Sequence, residues 1–187
     1  MTATFLTSPS GSAVDPSRPH IILVGLPGAG KSSVGKGVAE KLNRRFLDFD
    51  HEIERRESMT VSQIFAEKGE PYFRKAELAL TTELRDVRGM VLAPGGGWVV
   101  NPENVALLRP PSRIIYLKTR PDSALKRLGP ERMTRPLLMR PDPLRELKQL
   151  LEQRRASYEA ADFVVDTELL NLERVIKKVA ELASSVV

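Results

Sequence analysis

The nine residues GLPGAGKSS (25–33) lie between an apolar, β-branched run, HIILVG (20–25), and a helix-like stretch, VGKGVAEKL. Three glycines and a proline leave almost no side chain between the two, and a lysine and two hydroxyls follow. The segment fits G-x-x-x-x-G-K-[ST], with Gly25, Gly30, Lys31 and Ser32 in the fixed places. Backbone N–H groups of such a loop point inward at a phosphate, and side chains would block that approach. A helix starting near Gly30 adds the positive end of its dipole. Lys31 then reaches phosphate oxygens, and the Ser32 hydroxyl can ligate Mg²⁺. The strand before and helix after are the context this pattern needs, so the chain is expected to bind a nucleotide.

The rest of the 187 residues continues that alternation. Strands are predicted at 20–25, 45–50, 89–94, 113–118 and 162–167. Helical patterns cover 30–42, 50–57, 60–68, 71–88, 102–108, 121–128, 144–157 and 171–184. In the first of these Val34, Val38 and Leu42 recur one turn apart, and in the fourth Ala76, Leu80 and Leu84 do so. Alternating β and α with long connections argues an α/β fold with a parallel sheet covered by helices on both faces. The segment 129–143, GPERMTRPLLMRPDP, is too long and too rich in Pro and Arg for a simple connection, so a mobile active-site loop is expected there. Residues 1–19, rich in Ser, Thr, Pro and Gly, read as a disordered extension without the basic and apolar regions of a secretory signal. Residues 20–187 read as one domain.

Composition narrows the function. No cysteine is present, which excludes disulfides and thiolate metal sites and is compatible with a cytoplasmic location. No apolar stretch is long enough for a membrane span. The formal charge of +5 admits nucleic acid or a small anion as partner. Acidic residues interrupt the arginines between 127 and 145, and aromatics make up only 5% of the chain, too few for stacking platforms. A small polyanion fits better. The length excludes most motors, and no N/T-K-x-D base-reading motif of GTPases is found.

Two further features speak to an acceptor. Asp48 and Asp50 flank Phe49 at the end of the second predicted strand, where alternation would place both on one face. At the carboxyl edge beside the phosphate loop, one could hold the magnesium shell and the other could orient an acceptor hydroxyl and take its proton. The bland alternative is a helix cap at Asp50. In PGGGW (94–98), three successive glycines are poor strand and helix formers, and they suit a backbone that must come close to a ligand.

GLPGAGKSS, FLDFD, FAEKGEPYFRKAE, APGGGW, RPLL and RRASYEAADFVVDT occur in the order and approximate spacing of the shikimate kinases, and the chain resembles that family from Ile21 to about Val179. The resemblance implies a three-layer P-loop kinase fold with a five-stranded parallel sheet in order 2-3-1-4-5 and a lid at about 129–143. It implies transfer of a phosphoryl group from ATP, with Mg²⁺, to the 3-hydroxyl of shikimate in aromatic amino-acid biosynthesis. By motif, Gly28, Ala29, Gly30, Lys31, Ser32 and Ser33 resemble the nucleotide-binding loop. Ser32 and Asp48 resemble the magnesium contacts, and Asp50 resembles the base that holds the acceptor hydroxyls. Arg74 and Arg154 match the arginines that clamp the substrate carboxylate, Glu77 the carboxylate supporting them, and Gly96 and Gly97 the backbone contacts to substrate. Arg135 matches the lid arginine and Arg127 the one that stacks on adenine. Lys31, Asp50 and Arg135 are thus the implied catalytic set.

Ser33, Pro94 and Trp98 depart from residues frequent in the family, and Trp98 is expected as either pocket wall or ligand contact. His20, His51, Arg55, Arg56, Arg155 and Lys177 are read as structural or solvated. A related hydroxy-acid kinase such as a gluconokinase shares the phosphate loop but does not need these other motifs in register. A sensing module on a retired kinase would be favoured by loss of Lys31, Asp50 or Arg135, and all three are present. A cytoplasmic monomer with shikimate as its partner, and neither nucleic acid nor membrane, is the expectation.

Overall fold

The protein's structure, a computed structural model, describes residues 18–185. Most of the expected N-terminal extension, residues 1–17, lies outside the described residues. Five strands, β1 (Ile21–Val24), β2 (Phe46–Asp48), β3 (Val91–Ala93), β4 (Arg113–Lys118) and β5 (Phe163–Asp166), form one parallel sheet in order β2-β3-β1-β4-β5. Every side chain of β1 is buried, as a central strand covered on both faces requires.

Alternation along β1 divides the core. Ile21 and Leu23 face one side, where α1 (Lys31–Lys41) and α8 (Leu172–Ser184) bring Val34, Val38, Val175 and Val179. Ile22 and Val24 face the other. There α2 (Phe49–Glu57), α3 (Val61–Glu67), α4 (Glu70–Leu84), α5 (Pro102–Leu108), α6 (Pro121–Leu128) and α7 (Pro143–Glu159) contribute Ile53, Ile64, Leu80, Leu108, Ala124 and Leu147. The chain is therefore three layers, with every crossover feeding a loop to the carboxyl edge of the sheet. Among the described residues no helix is long and apolar enough to cross a membrane.

Three boundaries differ from the sequence reading. β2 stops at Asp48, and Asp50 stands in the first turn of α2. The cap of that helix is Asp48, whose Oδ1 accepts from the His51 N–H at 3.3 Å. Phe49 is fully buried against the Trp98 ring, and a buried aromatic there suits a strand end and a helix start equally. The helix expected over 71–88 ends at Leu84, because the chain must reverse through Gly89 (φ +77°) to enter β3. The segment 129–143 holds two 3-10 turns, Gly129–Thr134 and Pro136–Leu138, and fully buried Leu138 fastens it to the core.

Candidate active site

The turn between β1 and α1 folds as its glycines require. Gly28 and Gly30 hold φ of +84° and +89°, and a Cβ on Gly28 would run into the Ala124 carbonyl. Gly30 is the N-cap of α1 and makes no side-chain cap bond, so the first N–H groups of the helix are left to face the loop. Lys31 folds back over this turn, donating to the carbonyls of Gly25 at 3.0 Å and Leu26 at 3.1 Å. Burial, followed by the nearby Arg135 charge, lowers its pKa to about 8 against the pull of Asp50 and Asp48.

Beside the loop lies a cleft of about 350 Å³. Its polar half is Gly28–Ser33, Asp48, Asp50, Arg127 and Arg135, and its apolar half is Leu128, Leu170, Leu172 and Val175. The Ser32 hydroxyl donates to Asp48 Oδ2 at 2.5 Å, so a hydroxyl and a carboxylate converge at the foot of α1. That hard oxygen pair suits Mg²⁺, which is commonly held by one or two protein oxygens with water and phosphate completing its shell. Arg127 is fixed on the opposite wall by bonds to Thr167 Oγ1 at 2.8 Å and the Thr167 carbonyl at 3.0 Å.

A second group of charges lies behind Asp50. Arg74 on α4 donates to Glu77 Oε2 at 2.6 Å and to Glu70 Oε1 at 2.7 Å. Glu77 is fully buried, and its Oε1 has no hydrogen-bond partner. Burial outweighs the attraction of Arg74 and raises its pKa to about 7. Arg154, on α7, is almost wholly buried.

The three glycines account for how these groups meet. A Cβ on Gly95 would lie 2.8 Å from Glu77 Oε1 and 3.3 Å from Asp50 Oδ1. On Gly96 it would lie 3.1 Å from the Gly25 carbonyl and 3.2 Å from Arg154 Nη1, and on Gly97 2.8 Å from Arg74 Nη2. Side chains would push the carboxylates and guanidiniums apart. The glycines let four charged residues from three helices close on one strip of backbone beside the phosphate loop.

The family model for shikimate kinase matches residues 27–184. The chain belongs to the shikimate kinase family. A shikimate kinase from Caldanaerobacter subterraneus subsp. tengcongensis is 39% identical over 160 residues, which cover 86% of this chain and 93% of that one. A shikimate kinase from Acinetobacter baumannii, solved in complex with shikimate, superposes with a TM-score of 0.85 at 37% identity, covering 91% of this chain and 95% of that one. A gluconokinase from Sinorhizobium meliloti 1021 shares the fold, with a TM-score of 0.61 at 16% identity over 92% and 95% of the two chains. As a shikimate kinase, this protein is a phosphotransferase that uses ATP with Mg²⁺ to phosphorylate shikimate in aromatic biosynthesis.

The structure gathers the residues singled out from the sequence into two adjoining groups. Gly28 to Ser33, Asp48, Asp50, Arg127 and Arg135 line the cleft, while Arg74, Glu77, Gly96, Gly97 and Arg154 stand behind Asp50. Trp98, left open as wall or contact, is neither in the cleft nor exposed. It is buried, donates to Thr81 Oγ1 at 2.9 Å and meets Phe49 edge-on. Sequence reasoning passed over the apolar wall of Leu128, Leu170, Leu172 and Val175. Its signal was available, since ELLNLE follows the fifth strand at the sheet edge where ligands collect. It also gave no role to Tyr158, whose hydroxyl donates to the Gly96 carbonyl at 2.8 Å.

Proposed function

We propose that the cleft holds MgATP, that the Arg74–Glu77–Arg154 group receives shikimate, and that Asp50 works at the boundary between them. What carries this reading is the position of Asp50. It pairs with Arg135 on the nucleotide side and lies against Gly95 and Glu77 on the other.

The N–H groups at the start of α1 cradle the phosphates, and Lys31 leaves its two loop carbonyls for the β- and γ-phosphate oxygens. Leu128, Leu170, Leu172 and Val175 offer apolar surface to a purine, with the Arg127 guanidinium anchored on Thr167 in the same cleft. Ser32 and Asp48 would hold Mg²⁺, whose chemistry there is neutralisation of phosphate charge. Arg74 and Arg154 supply two guanidinium forks from separate helices, the geometry that best holds a planar carboxylate. Asp50 accepts the proton of the 3-hydroxyl as its oxygen bonds to the γ-phosphorus and the bond to the β,γ-bridging oxygen breaks. The products are shikimate 3-phosphate and ADP.

In this reading 129–143 is a lid, and Arg135 moves from Asp50 to the phosphates as it closes. The protein works as a cytoplasmic monomer without nucleic acid or membrane partner. A coupled assay of ADP release with shikimate, gluconate, quinate and no acceptor tests the assignment. Release is expected with shikimate far above the other three, and equal or greater release with gluconate would overturn it.

A further inference from the structure

Tyr158 stands one turn after Arg154 on the same face of α7, fully buried, with its ring stacked on Tyr116 of β4 (centroids 5.0 Å apart, planes at 17°). Neither ring faces the nucleotide cleft. Core packing alone would be served as well by phenylalanine. The hydroxyl does something a phenyl ring cannot, donating its single hydrogen to the Gly96 carbonyl at 2.8 Å. Burial raises the pKa of the phenol, so it remains a donor across the working range of the enzyme.

That bond has two consequences at the glycine strip. A trans peptide points its N–H away from its carbonyl. Fixing the Gly96 carbonyl toward Tyr158 therefore turns the Gly97 N–H the opposite way. The oxygen of Tyr158 also lies against the Arg154 guanidinium, which acts on it both as a charge and as a hydrogen-bond donor. Arg154 Nη1 and Tyr158 Oη would lie 3.2 and 3.3 Å from a Cβ on Gly96, so both close on the space that the missing side chain leaves open. One hydroxyl thus touches the backbone strip and stands beside a guanidinium that has several N–H directions open to it.

We infer that Tyr158 is a positioning residue for recognition of the acceptor's carboxylate, holding the Gly96–Gly97 peptide and the Arg154 fork in one fixed relation. This rests on the shikimate site proposed above. Tyr158 touches neither reacting atom. It narrows the orientations of two donors before the substrate arrives, which lowers the ordering cost of binding.

The test is Tyr158→Phe, which keeps the ring stack and removes the hydroxyl. The readout is the ratio of kcat/KM for shikimate to that for its analogue with the carboxylate reduced to a primary alcohol. This ratio is independent of how much of the variant is folded. Loss of a hydrogen bond of this kind is expected to lower the ratio by about 5- to 10-fold. KM for MgATP should stay within about twofold, since the nucleotide groups are untouched. In an Arg154→Ala background the same substitution should lower the ratio by distinctly less than it does in wild type, because the share acting through Arg154 is gone and only the share through the Gly96–Gly97 peptide is left. Three results would overturn the inference. In the first, Tyr158→Phe leaves the ratio unchanged while Arg154→Ala lowers it, so the clamp stands without Tyr158. In the second, the effects of the two substitutions add in full. In the third, neither substitution moves the ratio, and the acceptor site itself has then been misplaced.

Discussion

Arg135, at the N-cap of the 3-10 turn Pro136–Leu138, forms an ion pair with Asp50 in the first turn of α2, although 85 residues separate them in the chain. The guanidinium proposed to stabilise the transferring phosphoryl rests on the carboxylate proposed to accept the proton. Each neutralises the other. In the proposed mechanism, binding of both substrates separates them, as the acceptor hydroxyls take Asp50 and the phosphates take Arg135.

Removing Arg135 should therefore injure catalysis more than acceptor binding. Arg135→Ala is expected to lower kcat by roughly 10²–10³-fold, the usual consequence of losing one preorganised donor to the transition state. Shikimate affinity measured by calorimetry without nucleotide should change by less than about threefold, because the arginine contributes no contact to the acceptor. A loss of shikimate affinity as large as that of kcat would place Arg135 in the acceptor pocket instead.

The acceptor clamp predicts the opposite pattern. Arg74 is held between Glu70 and Glu77, which aims its fork along the glycine strip. Arg74→Ala should weaken shikimate binding at least about tenfold, as expected for one charge-assisted bond to a carboxylate, with MgATP affinity little altered. Equal weakening of both ligands in paired titrations would point to general disruption of α4.

A stability prediction concerns His20. It is fully buried, with Nδ1 accepting from the Met90 N–H at 3.1 Å and Nε2 placed 3.3 Å from the Leu84 carbonyl. The neutral ring satisfies both neighbours, whereas protonation sets a second N–H against that of Met90. Burial accordingly lowers its pKa below the ordinary 6.5. The stability it contributes is complete above 6.5 and is lost as pH falls from there through the folded-state pKa, by at most about 1.4 kcal/mol per unit. Glu77 acts with the opposite sign. Its pKa is raised to about 7, so its contribution is greatest below 4.5 and declines as pH rises to 7. Urea midpoints of wild type and His20→Gln between pH 7.5 and 5.5 separate the two, since only the histidine differs. Wild type should lose more stability on acidification than the variant, and parallel profiles would contradict the assignment.

Much of this was legible in the chain because the controlling physics is local. The phosphate loop announces itself through Gly25, Gly30, Lys31 and Ser32, and β1 through an unbroken apolar run. Asp50 was harder. A buried Phe49 fits a strand end or a helix start, and the boundary is set by Asp48, which caps the helix through the His51 N–H. Trp98 depends on Thr81, 17 residues earlier, and no periodicity links the two. Glu77 sits on a helical pattern like any exposed glutamate, and its burial follows from the close approach of Gly95 across the fold. Arg127 could be matched by motif, but its anchorage on Thr167, 40 residues on, required the β4–β5 pairing.

The central claim is that Asp50 joins a nucleotide site to an acceptor site, and Asp50→Asn tests it most directly. Asparagine keeps the size and can hydrogen-bond, but it neither accepts the proton nor supplies negative charge. Turnover with saturating shikimate and MgATP should fall by roughly 10²–10⁴-fold, the range for loss of a general base. In the same preparation, MgATP binding should remain within about threefold of wild type, since Lys31, Ser32 and Asp48 are intact. A variant that turns over at near the wild-type rate would contradict the account.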